Sequence, residues 1–161
     1  MQIKIKKLTQ QAIIPIKGSV GAAAYDVFIP RDAHISVGRQ IIPLDFAMEI
    51  PHGYQAQIEA RSGFSSKGME GYALHNGSHF DTPEKVKNRF DADVITGKID
   101  SDYRGCVGVI INNRSGELFT IPAGTRIAQM TIHQVEDVFF EEVANLSSTE
   151  RGEGGFGSTG H

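Results

Sequence analysis

The sequence predicts an all-β domain, a jelly-roll-like barrel or sandwich of antiparallel strands, and two observations carry that reading. Apolar residues fall in many short runs, some alternating with period two, as half-buried strands do. Glycine, proline and asparagine signals separate those runs at turn spacing. With 161 residues, 40% of them apolar and 22% charged, the chain has the composition of one folded domain with one core.

The elements follow in order. Residues 2–8 (QIKIKKL) alternate with period two and predict a half-buried strand. Further strands are expected at 24–28 (AYDVF), 33–37 (AHISV), 39–50, 54–60 (YQAQIEA), 106–112 (CVGVIIN), 117–121 (ELFTI) and 126–135 (RIAQMTIHQV). Turns are expected at Lys17-Gly18, at Ile29 to Asp32, at Pro51-His52-Gly53, at Asn112 to Gly116 and at Pro122-Ala123-Gly124. Short strands joined by such turns suit a sandwich, jelly roll or closed barrel.

One stretch, 70–96, breaks the rhythm and reads as an insertion in the β scaffold. There Thr82 can cap, Pro83 suits a first helical position and Glu84 suits the positive helix end, so a short helix is expected to run to about Arg89 or Phe90. So short a helix needs something to dock against. His75 and His79 flank Asn76-Gly77-Ser78 and read as loop residues, not zinc ligands.

Bulk properties narrow the function classes. A net charge of −3 speaks against direct nucleic-acid binding by the whole surface. The single cysteine, Cys106, forms no intrachain disulfide and, inside the apolar run CVGVII, reads as a small buried hydrophobe. No apolar run approaches the ~20 residues of a membrane span, and MQIKIKKL alternates rather than forming a leader, so a cytoplasmic location is expected.

Four segments hold residues suited to chemistry. In ARSGFSSKGM (60–69), Arg61 offers a planar fork, Ser62 a donor and Gly63 close backbone approach, which fits an anion site or an ordinary polar turn. In GKIDSDYRG (97–105), Asp100 could take a proton from water or a sugar hydroxyl if it points inward, and Tyr103 offers a flat face with one polar tip; a plain hairpin is the alternative. Arg126 and Gln129 interrupt the apolar stretch TRIAQM, through structural pairing or ligand contact. The end, RGEGGFGSTGH (151–161), is either a frayed tail or a lid whose glycines expose N–H groups to phosphate oxygens. It lacks the spacing and context of a Walker loop.

Together these segments resemble the trimeric dUTPase family. AAAYDVF (22–28), ARSGFSSKGM, GKIDSDYRGCVGVIINN (97–113), TRIAQM (125–130) and RGEGGFGSTG (151–160) match its motifs in order, and the enlarged 70–96 segment resembles the staphylococcal phage members. The resemblance implies a homotrimer of the trimeric-dUTPase jelly-roll type that hydrolyses dUTP to dUMP and pyrophosphate with Mg2+. It implies a β domain over 1–143, followed by an arm over 144–161.

By the same resemblance, Asp100 activates the attacking water and Tyr103 packs on the deoxyribose, excluding UTP. The backbone around Gly97 and Ile99 reads uracil, while Arg61, Ser62, Gly63 and Gln129 hold phosphates and Asp26 holds the metal through water. Arg151, Gly157, Ser158 and Thr159 close on the γ-phosphate, and Phe156 stacks on uracil from another subunit. One departure is Val94, where the family usually has Asn. In the phage members the insertion is associated with a pathogenicity-island repressor, which makes 70–96 a candidate protein-binding surface.

Overall fold

The computed structural model describes residues 1–74 and 85–155. Its first strands are β1 (Lys4–Lys7), β2 (Ile16–Lys17), β3 (Tyr25–Phe28), β4 (Ala33–Ile35), β5 (Gly38–Pro43), β6 (Phe46–Glu49) and β7 (Tyr54–Glu59). A short helix α1 (Ser62–Lys67) follows. Then come β8 (Met69–Leu74), β9 (Lys85–Phe90), β10 (Ala92–Ile95), β11 (Gly97–Ile99), β12 (Gly108–Asn113), β13 (Phe119–Ile121) and β14 (Arg126–Gln134).

Every recorded pairing is antiparallel. The largest sheet runs β11-β7-β14-β3-β2, and three smaller ones run β4-β13-β8-β9, β10-β12-β5 and β1-β6. Neighbours in these sheets are mostly distant in sequence, which is the topology of a jelly roll rather than a meander. The inward residues of all four sheets meet in one apolar cluster that includes Val27, Leu44, Phe46, Ile58, Val109, Ile111, Phe119 and Ile127. Burying each such side chain stabilises by about 1.5–3 kcal/mol, so this cluster holds the scaffold that carries the site. Among the described residues no helix is long and apolar enough to cross a membrane.

Two expectations are corrected. The helix proposed to run to about Arg89 or Phe90 is absent over its C-terminal half: Lys85–Phe90 is a strand paired with β8, in the register Met69↔Phe90 to Leu74↔Lys85. Long-range pairing overrides the local signal because Phe90 is buried and stacks on Phe119, with ring centroids 4.1 Å apart and planes 4° from parallel. Across the exposed side of the same pair, Glu70 binds Lys87 and Arg89. The cap at Thr82, Pro83 and Glu84, with His75 and His79, lies outside the described residues.

The run 39–50 is likewise two strands, not one. Asp45 breaks it at φ 58°, a left-handed conformation uncommon for a residue with a side chain. Its buried carboxylate accepts from Thr9 Oγ1 (3.0 Å) and from Arg31 Nη2 (2.5 Å), which offsets the strain and pins the N-terminal segment to the barrel.

Candidate active site

The first cluster assembles on the largest sheet. Asp26 on β3 sits across from Gln129 on β14, and Gln129 in turn sits across from Glu59 on β7. Directly paired residues project to the same face, so the three polar side chains form a row, with strands about 5 Å apart. Arg61 Nε lies 3.0 Å from Asp26 Oδ1 and Arg126 Nη1 lies 3.3 Å from Oδ2, so one half-enclosed carboxylate faces two guanidinium groups. Arg61 also lies over the Phe64 ring, at 5.8 Å, which holds its planar fork. Gln129 Nε2 donates to Glu59 Oε1 at 2.9 Å, and Gln57 Nε2 donates to Oε2 at 3.3 Å.

Arg61 begins α1 as its N-cap, and its carbonyl accepts from Phe64 and Ser65. The N–H groups of Ser62 and Gly63, in the first turn, have no intrahelical partner. A short helix start, two arginines and one carboxylate thus converge at the end of β7. Positive charge and directed donors on one side are the chemistry that an anion needs.

The second cluster surrounds a 290 Å3 cavity lined by Ile58, Ile95, Gly97, Ile99, Asp100, Tyr103 and Cys106, among others. Its wall, β11, is the edge strand of the large sheet, hydrogen-bonded to β7 on one side only. The other row of β11 backbone groups is therefore open to a ligand's polar edge. Ile99 turns into the core; Asp100 does not point inward as the expectation required but stands exposed on the cavity's lining, at the start of a turn closed by Tyr103 N–H to Asp100 C=O at 3.2 Å. The Tyr103 hydroxyl donates to the Cys106 carbonyl at 3.1 Å, which lays the ring over Gly105. Val94 is buried on β10 opposite Ile111, so it offers the cavity no side-chain amide.

The expected site residues therefore fall into separate groups. Asp26, Arg61, Ser62, Gly63 and Gln129 come together, as do Gly97, Ile99, Asp100 and Tyr103; among the described residues no side-chain bond joins the two groups, which stand on one sheet with Gly97 across from Ile58. Among the described residues Arg151 bonds within its own turn, Nε to Gly154 C=O at 2.8 Å. Phe156, Gly157, Ser158 and Thr159 lie outside the described residues. Cys106 is corrected: it is exposed, because Val107 and Val109 take the inward positions of this run and leave Cys106 at the cavity rim. Glu59 had no sequence signal, since its contact with Gln129 exists only through strand register.

The family model for dUTPase matches residues 10–73 and 83–160. The chain belongs to the dUTPase family. It is a dUTP diphosphatase, and the hydrolysis of dUTP is its reaction. This dUTPase is 42% identical over 161 residues to the deoxyuridine 5'-triphosphate nucleotidohydrolase of Nautilia profundicola, covering 99% of both chains. It is 38% identical to that of Oryza sativa, over 98% of this chain and 80% of the relative. Among solved structures, a substituted dUTPase of Staphylococcus bacteriophage 80alpha bound to dUpNHpp superimposes with a TM-score of 0.77 at 25% identity, over 99% of each chain. Another substituted form of that phage enzyme gives 0.78 at 26%, over 98% of each.

The dUTPase match is interrupted only between 73 and 83, inside the 70–96 stretch. The strands that flank the interruption, β8 and β9, belong to the family fold through β13. The part of 70–96 that stands outside the family is therefore short.

Proposed function

We propose that this dUTPase acts as a homotrimer in which the two clusters come from different subunits. What supports this reading is that, among the described residues of one chain, no side-chain hydrogen bond or ion pair links the anion cluster to the Asp100–Tyr103 cavity, although both stand on the large sheet. A second observation supports it. Residues 135–155 lie outside the sheets, with Phe139 99% exposed and Phe140 96% exposed. Aromatic side chains of that size belong against another surface. A groove beside β1, lined by Ile3, Ile5, Met48 and Met130 with Lys17 and Tyr25, offers the aromatic residues of a neighbouring copy's arm a surface to rest on.

In this reading the triphosphate lies on Arg61, Ser62, Gly63 and Gln129, which position it by charge-assisted hydrogen bonds. Uracil lies along the open edge of β11 at Gly97 and Ile99, and the Tyr103 ring covers the deoxyribose face and leaves no space for a 2′-hydroxyl. Asp100 orients a water and takes its proton. The water oxygen forms a bond to the α-phosphorus, and the bond from that phosphorus to the bridging oxygen breaks, releasing pyrophosphate. Phosphoryl transfer of this kind needs positioning and charge stabilisation more than covalent help. Arg151 and residues 156–159 of the arm complete the enclosure, with Phe156 stacked on uracil.

The residues present fit Mg2+. Asp26 is a single carboxylate with a side chain 14% exposed, and among the described residues no cluster of His, Cys, Asp and Glu forms a cage. That donor set suits an ion that keeps its waters and takes direct ligands from phosphates, with Asp26 holding it through water. When bound, the ion supplies neutralising charge to the triphosphate.

Asp100→Asn tests the assignment. Turnover should fall by orders of magnitude while a non-hydrolysable dUTP analogue still binds; normal turnover would place the base elsewhere. For 70–96, the staphylococcal phage structures favour a second reading, because one is described in terms of SaPI-inducing capacity. Here that stretch would be a protein-binding surface for a pathogenicity-island repressor. Deleting 75–84 and titrating such a repressor with and without dUTP tests it, because coupling between the two ligands must be reciprocal. Undiminished binding by the deletion would remove the segment from the interface.

A further inference from the structure

We propose that Glu59 is a positioning residue that fixes which face of the Gln129 amide meets the substrate phosphates. The proposal rests on the assignment of Gln129 to phosphate binding. It adds a residue that belongs to none of the five motifs' assigned contacts.

The argument begins with donor and acceptor chemistry. An amide side chain has an oxygen end and an NH2 end of nearly equal shape, and rotation by 180° exchanges them. A phosphate oxygen accepts hydrogen bonds only, so a glutamine serves it with Nε2 and repels it with Oε1. Something must choose between the two. Glu59 is a carboxylate, which also only accepts. At 2.9 Å from Gln129 Nε2, it admits the nitrogen end and excludes the oxygen end. Nε2 carries two hydrogens; one satisfies Glu59, and among the described residues the other has no partner.

Glu59 is itself held. It sits directly across the sheet from Gln129, on the side of β14 opposite Asp26, and Gln57 Nε2 donates to its second oxygen at 3.3 Å. Among the described residues no cation lies within ion-pair distance of it, so it is not a member of the arginine cluster. Both of its recorded bonds come from amides. Its negative charge next to a phosphate site would otherwise oppose binding. Gln129 stands between it and the Asp26–Arg61 pair, so the charge acts on the amide first.

The test uses Glu59→Gln, Gln129→Ala and the double variant in the full-length enzyme. A glutamine at 59 keeps shape and one acceptor, but its NH2 can equally receive the flipped Gln129. We expect KM for dUTP to rise about tenfold in both single variants, the loss of a hydrogen bond to a charged acceptor, with kcat at saturation changed less than about twofold. The double variant should be no worse than Gln129→Ala, because the two act as one unit. Affinity for a non-hydrolysable dUTP analogue should fall in step, while affinity for deoxyuridine, which carries no phosphate, stays at the wild-type value; a merely structural loss would lower both. Unchanged KM in Glu59→Gln, with Gln129→Ala impaired, overturns the positioning role alone. Unchanged KM in Gln129→Ala overturns the phosphate assignment of Gln129 and this proposal with it. Multiplying effects in the double variant also overturn it.

Discussion

Gly105→Ala separates the role of Tyr103 from the stability of the fold. A Cβ built on Gly105 would lie 2.5 Å from Tyr103 Cζ and closer still to the hydroxyl oxygen. That is about 1 Å inside ordinary carbon contact distance, so the ring must move by at least that amount. The obstructed atoms are the far end of a side chain 46% exposed, so the ring can swing outward at little structural cost. The loss is the 3.1 Å bond to the Cys106 carbonyl, about 0.5–1.5 kcal/mol. For a chain of this size that lowers Tm by only a few degrees, roughly 2–4 °C per kcal/mol. Catalysis should suffer far more, since a 1 Å misplacement at a reacting centre costs roughly a hundredfold. Steady-state kcat/KM for dUTP and for UTP, with a melting curve, form the assay. We expect dUTP turnover to fall by one to two orders of magnitude on that scale and the dUTP-to-UTP preference to shrink. A folded variant with unchanged preference would refute Tyr103 as the wall against the 2′-hydroxyl.

Three further outcomes are expected. Phe90→Ala removes one ring of the stack on Phe119 and should cost about 3–5 kcal/mol in denaturant unfolding; a cost under 1 kcal/mol would mean that the hairpin is not anchored there. Phe139→Ser with Phe140→Ser should shift sedimentation from trimer towards monomer and abolish turnover together, and an active, intact trimer would remove these side chains from the interface. Glu70 is held below its usual 4.5, first by the hydrogen bond and charge of Lys87 and then by the charge of Arg89. A carboxyl depressed on folding adds stability above its unfolded pKa and loses it as pH falls through the folded value. Amide protection factors in β8 and β9, taken relative to the intrinsic exchange rate at each pH, should therefore fall below pH 4.5 in the wild type, and Glu70→Gln should flatten that dependence.

The parts of the fold legible in the sequence were those set by local pattern. β1, β3, β4, β7 and β14 fall within short apolar runs expected as strands, because such runs between turn signals are marked locally. The break at Asp45 was not legible, since it depends on Thr9 and Arg31, 36 and 14 residues away. β9 was misread for a related reason. The cap signal at 82–84 is local, whereas the burial of Phe90 against Phe119 joins segments 29 residues apart and is the stronger of the two. At the site, Arg61, Ser62 and Gly63 stood out as three suitable residues after a strand. The row from Glu59 through Gln129 to Asp26 did not, because register decides it and no single segment records register.

The Asp26 cluster explains how this site can be ready for a highly charged ligand before the ligand arrives. Two guanidinium groups held close together without a counterion repel one another, and flexible arginines would separate into solvent. Asp26 holds both, one on each carboxylate oxygen, so their fork directions are set by the chain's own contacts. A triphosphate can take over the arginines because it offers more charge than one carboxylate. Under the proposed function Asp26 would then accept from the waters of a hydrated cation at the edge of the phosphates, one side chain exchanging arginines for the ion's water shell. Asp26→Asn should accordingly weaken substrate binding even where Mg2+ is saturating, because the arginines lose their holder as well as the ion its outer ligand. If saturating Mg2+ restored wild-type KM in that variant, the holding role would be excluded and only the outer-ligand role would stand.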